Sequence, residues 1–282
     1  MSNLISFTSE ELYTVSSIGT VLLALLLTIE EYLHRQSKIS GHTISGLLLV
    51  AMALATIPHV IAFATLQQVL INLPIFLLIP YFSEAAAMRW SNLVGKYRYR
   101  DRIGPVLPLG VPVGVVFAWL IILYCSFFTA TIVATLLSFS PFHSMWFVPL
   151  FAALLCVLYD LIIDPINVAA GNWSWSEELQ NPVWLNRKLG ASWYNIPTGN
   201  FVGWFLIAFL TLSLTTLLGG LPVLSLEPEA KSMLVAFPLL WQSFVLVFRA
   251  LEAQRFQFPH LAIASALYSL SMAVLFLWWL RS

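Results

Sequence analysis

Residues 146–167 read WFVPLFAALLCVLYDLIIDPIN. A helix needs about 20 mostly apolar residues to cross a hydrocarbon core, and this run supplies them with only Asp160 and Asp164 as charges. Similar runs recur along the whole chain of 282 residues, which is 60% hydrophobic and only 9% charged, with a mean hydropathy of +0.87. An ordinary soluble domain is roughly 45–50% apolar and about 25% charged. So few charges cannot cover a globular surface, which argues against a soluble enzyme and against a disordered chain. The 13 basic and 13 acidic side chains balance, leaving no basic face for nucleic acid. The composition predicts an all-α, polytopic membrane helix bundle.

Eight transmembrane spans are expected, at roughly 12–33, 43–66, 69–88, 108–137, 146–167, 196–218, 232–251 and 260–280. The fourth begins among Pro105, Pro108 and Pro112, which predicts a bent or interfacial start. The third is interrupted by Pro74 and Pro80. The first is read as a retained helix rather than a signal peptide. No basic residue precedes it, and Glu30-Glu31 follows where small residues would mark a cleavage site. With no linker or soluble segment, residues 1–282 read as a single integral-membrane domain.

The basic residues give an orientation. Arg35, Lys38, Arg89, Lys96, Arg98, Arg100, Arg102, Arg187, Lys188, Arg249 and Arg255 all follow odd-numbered spans. Only Lys231 and Arg281 fall on the other side. The positive-inside rule then places both termini outside the cytoplasm. In that frame Glu30, Glu31, Glu84, Asp160, Asp164 and Glu252 lie toward the cytoplasmic ends of their helices. Cys125 and Cys156 fall inside spans without metal or redox spacing, and read as buried packing.

Asp160 and Asp164 are four residues apart, hence on one helix face and about 6 Å apart along the axis. Ionised carboxylates that close in a low dielectric repel each other, which makes the pair a candidate acid and conjugate base. Ionisable residues inside spans are functional by default. The structural alternative is that Asp164 caps a helix end before Pro165 while Asp160 pairs with an arginine. Glu84 is the third candidate, against a structural pairing with Arg89 or Arg249.

The densest aromatic stretch follows: Trp173, Trp175, Trp184, Trp193 and Tyr194, then Asn200 and Trp204 one turn apart beside Gly199 and Gly203. Interfacial anchoring accounts for some of these rings. The others are read as an aromatic-lined pocket beside the acids, with the loop from about 168 to 195 as a partial lid. His34, His42, His59, His143 and His260 are scattered and form no di-iron box. No zinc cluster and no glycine-rich phosphate loop is present in the sequence. Acid–base chemistry with no cofactor and no metal is the expectation.

Three runs, Asp160 to Pro165 (DLIIDP), Gly171 to Trp175 (GNWSW) and Asn195 to Phe205 (NIPTGNFVGWF), resemble the CruF-type integral-membrane carotenoid biosynthesis proteins. That group includes the carotenoid 1,2-hydratases and bisanhydrobacterioruberin hydratase. Glu84, Gly95-Lys96-Tyr97-Arg98-Tyr99, Leu109-Gly110-Val111-Pro112 and Trp119 agree with the same pattern. Asn195 stands where that pattern has glycine, and Ser176 to Ser192 reads as extra loop.

The resemblance implies addition of water across the terminal 1,2 double bond of an acyclic isoprenoid end, giving a tertiary alcohol. The lipophilic substrate would come from the bilayer, in the plasma membrane of a prokaryote, to a site in the cytoplasmic half. Membrane lipid would be the only other partner, and the sequence carries no signal for an oligomeric state. Asp160 or Asp164 would be the acid, with its partner, Glu84 or Asn200 holding the water. Trp119, Trp173, Trp175, Tyr194, Asn200 and Trp204 would bind the substrate. Two other readings stand beside this one. A membrane terpenoid cyclase would capture the same carbocation with another double bond. A transporter or proton-relay protein would use the same carboxylates, although the acids cluster at one depth and no inverted repeat is visible.

Overall fold

The computed structural model describes residues 49–50, 53–54, 56, 59, 64, 66–89, 97–100, 104–175, 192–218 and 237–281. The expected span at 12–33, most of that at 43–66, Glu30, Glu31, Trp184 and most of the expected lid loop lie outside the described residues. Six helices are described: α1 (Leu66–Arg89), α2 (Val113–Leu136), α3 (Pro141–Ala170), α4 (Thr198–Leu217), α5 (Phe237–Arg255) and α6 (Pro259–Arg281). Five of them, all but α5, are long and apolar enough to cross a membrane. The expected seventh span corresponds to α5, whose 19 residues carry Arg249, Glu252 and Arg255.

α3 shows how the sequence builds a long helix around its prolines. Ser140 caps its start by accepting the His143 backbone N–H at 3.4 Å, and Pro141 occupies the first turn, where a missing N–H costs nothing. The helix then runs through Pro149 and Pro165 to Ala170, and Gly171 ends it at φ 75°. Asp164 therefore lies within the helix, not at a cap before Pro165. Pro165 has no N–H for the Leu161 carbonyl. That carbonyl instead accepts the Trp193 indole N–H at 2.9 Å, a repair of the kind that lets proline persist in membrane helices. α1 likewise continues through Pro74 and Pro80.

The start of α2 is bent, as expected. Pro108–Gly110 forms a single 3-10 turn with Leu109 at φ 68° and Gly110 at φ 85°. The segment folds back so that Val113 N–H bonds Pro105 O at 2.9 Å. Tyr81 from α1 holds it by donating to Pro108 O at 2.5 Å, and Arg89 donates to Leu109 O at 3.2 Å.

Two short antiparallel ribbons complete the fold. β1 (Tyr97–Tyr99) pairs with β2 (Trp173–Trp175), matching Tyr97 to Trp175 and Tyr99 to Trp173. β3 (Ser192–Trp193) and β4 (Ile196–Pro197) form a hairpin leading into α4. Its two-residue loop, Tyr194-Asn195, has φ values of 50° and 65°, and positive φ at both positions is what a type I′ turn demands.

α3 packs most extensively on α2 and α4, while α5 and α6 form a hairpin against α2 and α3. Gln242 on α5 crosses to α2, donating to Cys125 O at 3.0 Å and Thr129 Oγ1 at 2.8 Å. Ser243 and Ser269 join α5 to α6 at 3.0 Å. Such cross-helix bonds replace the missing hydrophobic drive between helices in lipid. Cys125 and Cys156 are buried free thiols. Leu150, Leu154 and Leu158 form an exposed apolar stripe on α3, suited to hydrocarbon rather than water.

The left-handed turn predicts a specific sensitivity. A β-branched residue in that region costs about 1–2 kcal/mol, so Asn195→Val is expected to lower the thermal midpoint in detergent. Asn195→Gly, which relieves the same backbone, is expected to keep or raise it. Equal midpoints for both variants would contradict the turn assignment.

Candidate active site

Three buried carboxyl groups meet at one end of the bundle. Glu84 near the end of α1 is 6% exposed, and Asp160 and Asp164 on α3 are 1% and 4% exposed. Among the described residues no basic side chain pairs with any of the three. Their partners are neutral donors, because a carboxylate can only accept and an unmet buried acceptor is costly.

Asn200, in the first turn of α4, joins the two aspartates. Its Nδ2 donates to Asp160 Oδ2 at 3.0 Å and to Asp164 Oδ2 at 2.8 Å. The remaining Asp164 oxygen accepts the Trp173 indole N–H at 2.6 Å. Asp160 Oδ1 is buried with no hydrogen-bond partner among the described residues. Glu84 carries three donors. Its Oε2 accepts from Tyr97 and, at 2.7 Å, from Tyr99, and its Oε1 accepts the Trp119 indole N–H at 2.8 Å.

The β1–β2 ribbon explains how segments remote in sequence reach these acids. Alternation along a strand puts residues i and i+2 on one face. Tyr97, Tyr99, Trp173 and Trp175 therefore face the same way, with Arg98 and Ser174 opposite. Tyr97 and Trp175 lie 4.9 Å apart, Tyr97 and Tyr99 5.4 Å, and Tyr99 and Trp173 5.9 Å, ring centre to ring centre. Burial first, and the Glu84 carboxylate second, push the Tyr97 and Tyr99 phenols well above their ordinary value. Both therefore act as donors to Glu84.

A cavity of about 160 Å³ opens beneath this ribbon. Glu84, Asp164, Asn200, Trp119, Trp173, Trp175 and Trp204 line it. Trp119 and Trp204 stack at 3.8 Å and 21° on its wall. Apolar side chains from α2, α3 and α5, including Ile121, Ile163 and Val245, complete the lining together with Arg249. Arg249 is bonded to Glu252 on its own helix, and Arg89 bonds backbone carbonyls. The alternative in which either arginine pairs with Glu84 is not what the fold does.

Seven of the nine residues singled out from sequence thus share the cavity wall. Asp160 sits behind it, reaching it through Asn200. Tyr194 points away: the positive-φ turn packs its ring against Phe258 at 4.8 Å. The β1–β2 ribbon lines one side of the cavity through Tyr97, Tyr99, Trp173 and Trp175; most of the loop expected as a lid lies outside the described residues. Tyr97 and Tyr99, which hold Glu84, were not among the expected site residues. The signal for them was the paired alternation YRY and WSW outside the spans. Among the described residues no three histidines, cysteines or carboxylates stand close enough to share a metal ion.

Fold and site together define a helical membrane protein with an internal carboxylate site walled by aromatic rings. Residues 42–272 match the model of the carotenoid biosynthesis protein family, a span that includes every residue of the site. The chain belongs to that family, and its role is in carotenoid biosynthesis. No curated protein and no solved structure matches it.

The phenols make the site testable at high pH. A phenol that the fold keeps protonated stabilises the protein fully below its ordinary value of about 10, and loses that contribution as pH rises past it. The thermal midpoint in detergent is expected to fall above that pH, and the fall should be shallower in a Tyr97→Phe/Tyr99→Phe double variant. Parallel alkaline falls in the two proteins would contradict the assignment.

Proposed function

We propose that this protein is a cofactor-independent isoprenoid hydratase, adding water to the terminal double bond of an acyclic carotenoid end group. The observation that carries this reading is that Asp164 faces an apolar, indole-walled cavity and is joined through a single amide to a second buried carboxyl. Two such carboxyls in low dielectric share a proton more readily than they hold two negative charges. A trisubstituted alkene is a weak base, so it needs a carboxylic acid held in place against it.

Asp164, the member of the pair on the cavity wall, is the proton donor. Its O–H proton passes to the double-bond carbon bearing hydrogen. The π electrons form the new C–H bond, and the positive charge is left on the carbon with two methyl groups. The stacked faces of Trp119 and Trp204 stabilise that tertiary cation, by up to about 2 kcal/mol for a desolvated ring. Water then adds through an oxygen lone pair, and its surplus proton goes to Glu84. Exchange with solvent returns Asp164 to its acid form. Asp160 and Asn200 are positioning residues, setting the charge and orientation of the Asp164 carboxyl. Tyr97, Tyr99, Trp119 and Trp173 fix the carboxyl planes by their hydrogen bonds.

The substrate's chemistry matches its surroundings, since an acyclic polyene dissolved in the bilayer can enter between apolar helices without crossing water. The basic connections after the odd-numbered spans support a site in the cytoplasmic half of a plasma membrane. The same cation could instead be captured by a second double bond, but a wall carrying two carboxyls and an amide supplies acceptors for water as well as aromatic faces.

Asp164→Asn keeps the shape and removes the acid. In a host that makes acyclic carotenoids it is expected to lower hydrated product by about 10²–10⁴-fold, the usual share of general acid catalysis. Asp160→Asn, which leaves the donor in place, should lose less. Full product from Asp164→Asn would overturn the assignment of the acid, and full product from both variants would overturn the proposal.

A further inference from the structure

Beside the main cavity lies a second, much smaller one of about 20 Å³, in the seam between α1 and α4. Ser83, Glu84 and Ala87 line it from α1, and Asn200, Gly203, Trp204 and Ile207 from α4. Tyr97 and Trp119 close its inner side. Five residues line both spaces: Glu84, Tyr97, Trp119, Asn200 and Trp204. The two cavities therefore share a wall made of the stacked indoles, Glu84, Asn200 and Tyr97.

We propose that this small cavity is the binding site of the reacting water, distinct from the space that takes the isoprenoid; this rests on the hydratase reading. Its size suits one water, for which roughly 10–15 Å³ of such space is enough. Its polar lining suits water as well, since a site of this kind needs two to four hydrogen-bonding partners. Asn200 spends both N–H bonds on Asp160 and Asp164, so its Oδ1 remains an acceptor. Glu84 Oε2 accepts from both tyrosines, whereas Oε1 accepts only the Trp119 indole N–H and keeps a second lone pair. A water that donates one hydrogen to Glu84 and the other to Asn200 Oδ1 has its lone pairs left over. Glu84 and Asn200 line both cavities, so a water bonded to them stands where the two spaces meet.

This arrangement solves a problem that a single apolar cavity poses. Water beside the alkene before protonation would compete for the acid, and water absent from the site could not capture the cation. Holding one molecule on Glu84 and Asn200, at the side of the indole stack, keeps it out of the first step and available for the second. On addition, the oxygen lone pair forms the C–O bond, one O–H bond breaks, and its proton passes to the Glu84 carboxylate.

The test separates formation of the cation from its capture. In heavy water, a cation that is not captured loses a proton and returns as alkene carrying deuterium, so exchange into recovered substrate counts uncaptured cations. Ala87→Leu fills the small cavity from α1 and leaves all three carboxyl residues in place. The ratio of tertiary alcohol to deuterated substrate is expected to fall by at least about tenfold in Ala87→Leu, the scale of loss for a misplaced reactant. It should stay within about twofold of the parent in Leu210→Ala, an exposed position on α4 that lines neither cavity. Because both products come from the same folded molecules, a lower yield of protein cancels from the ratio. An unchanged ratio in Ala87→Leu overturns the proposal. So does joint loss of alcohol and exchange in Ala87→Leu and the smaller Ala87→Val alike, since that places the defect before the cation. A parent protein that makes no tertiary alcohol at all would instead overturn the hydratase reading itself.

Discussion

The hydrogen bonds from a single amide, Asn200 Nδ2 to Asp160 at 3.0 Å and to Asp164 at 2.8 Å, set the terms for the rest of the site. A buried carboxyl must be met by a cation or by neutral donors, and among the described residues the donors to Glu84, Asp160 and Asp164 are all neutral. That choice explains the position of Asn200 in the first turn of α4, where the β3–β4 hairpin delivers it against α3. It also explains why Trp173, Tyr97, Tyr99 and Trp119 turn their N–H and O–H groups inward while their ring faces wall the cavity. An arginine in the same place would hold the aspartates firmly as anions and end their usefulness as acids. Indole and phenol donors satisfy the oxygens and leave the proton chemistry open.

The helices follow from the same constraint at larger scale. In lipid, every backbone group needs a partner within the protein, and the proline at 165 breaks that rule directly beside the acids, at the residue after Asp164. The Trp193 indole mends it by taking the Leu161 carbonyl. The hairpin that places Asn200 is thus pinned to the helix that carries its partners, and the left-handed Tyr194-Asn195 turn is what lets the hairpin reverse over so short a distance. The polar seam from Gln242 to α2, and the serine pair between α5 and α6, fasten the opposite wall of the cavity.

Much of this was legible in the sequence, and the reasons are physical. Apolar runs mark α1, α2, α3, α4 and α6 because burial in lipid demands nearly uninterrupted hydrophobicity. The four-residue spacing puts Asp160 and Asp164 on one face of α3 whatever surrounds them. Other features depend on contacts that hydropathy does not encode. The pairing of Tyr97 and Tyr99 with Trp175 and Trp173 joins remote segments only three residues long. The placement of Asp160 behind the wall follows from the reach of Asn200, and the outward turn of Tyr194 follows from backbone φ alone. Pro165 was a fair sign of a helix end, and only the remote Trp193 makes it otherwise. The seventh apolar run, read as 232–251, has Arg249 as its one charge, but α5 extends to Arg255 and takes in Glu252 and Arg255 as well, which keeps it below the hydropathy of a spanning helix.

The central claim is that a carbocation formed in this cavity is captured by water, and isotopic labelling of the product tests it most directly. The purified protein, incubated with an acyclic carotenoid in water enriched in heavy oxygen, should yield a tertiary alcohol carrying one solvent oxygen atom per hydrated end. A product of unchanged substrate mass with no solvent oxygen would show that a second double bond takes the cation, and would contradict the account.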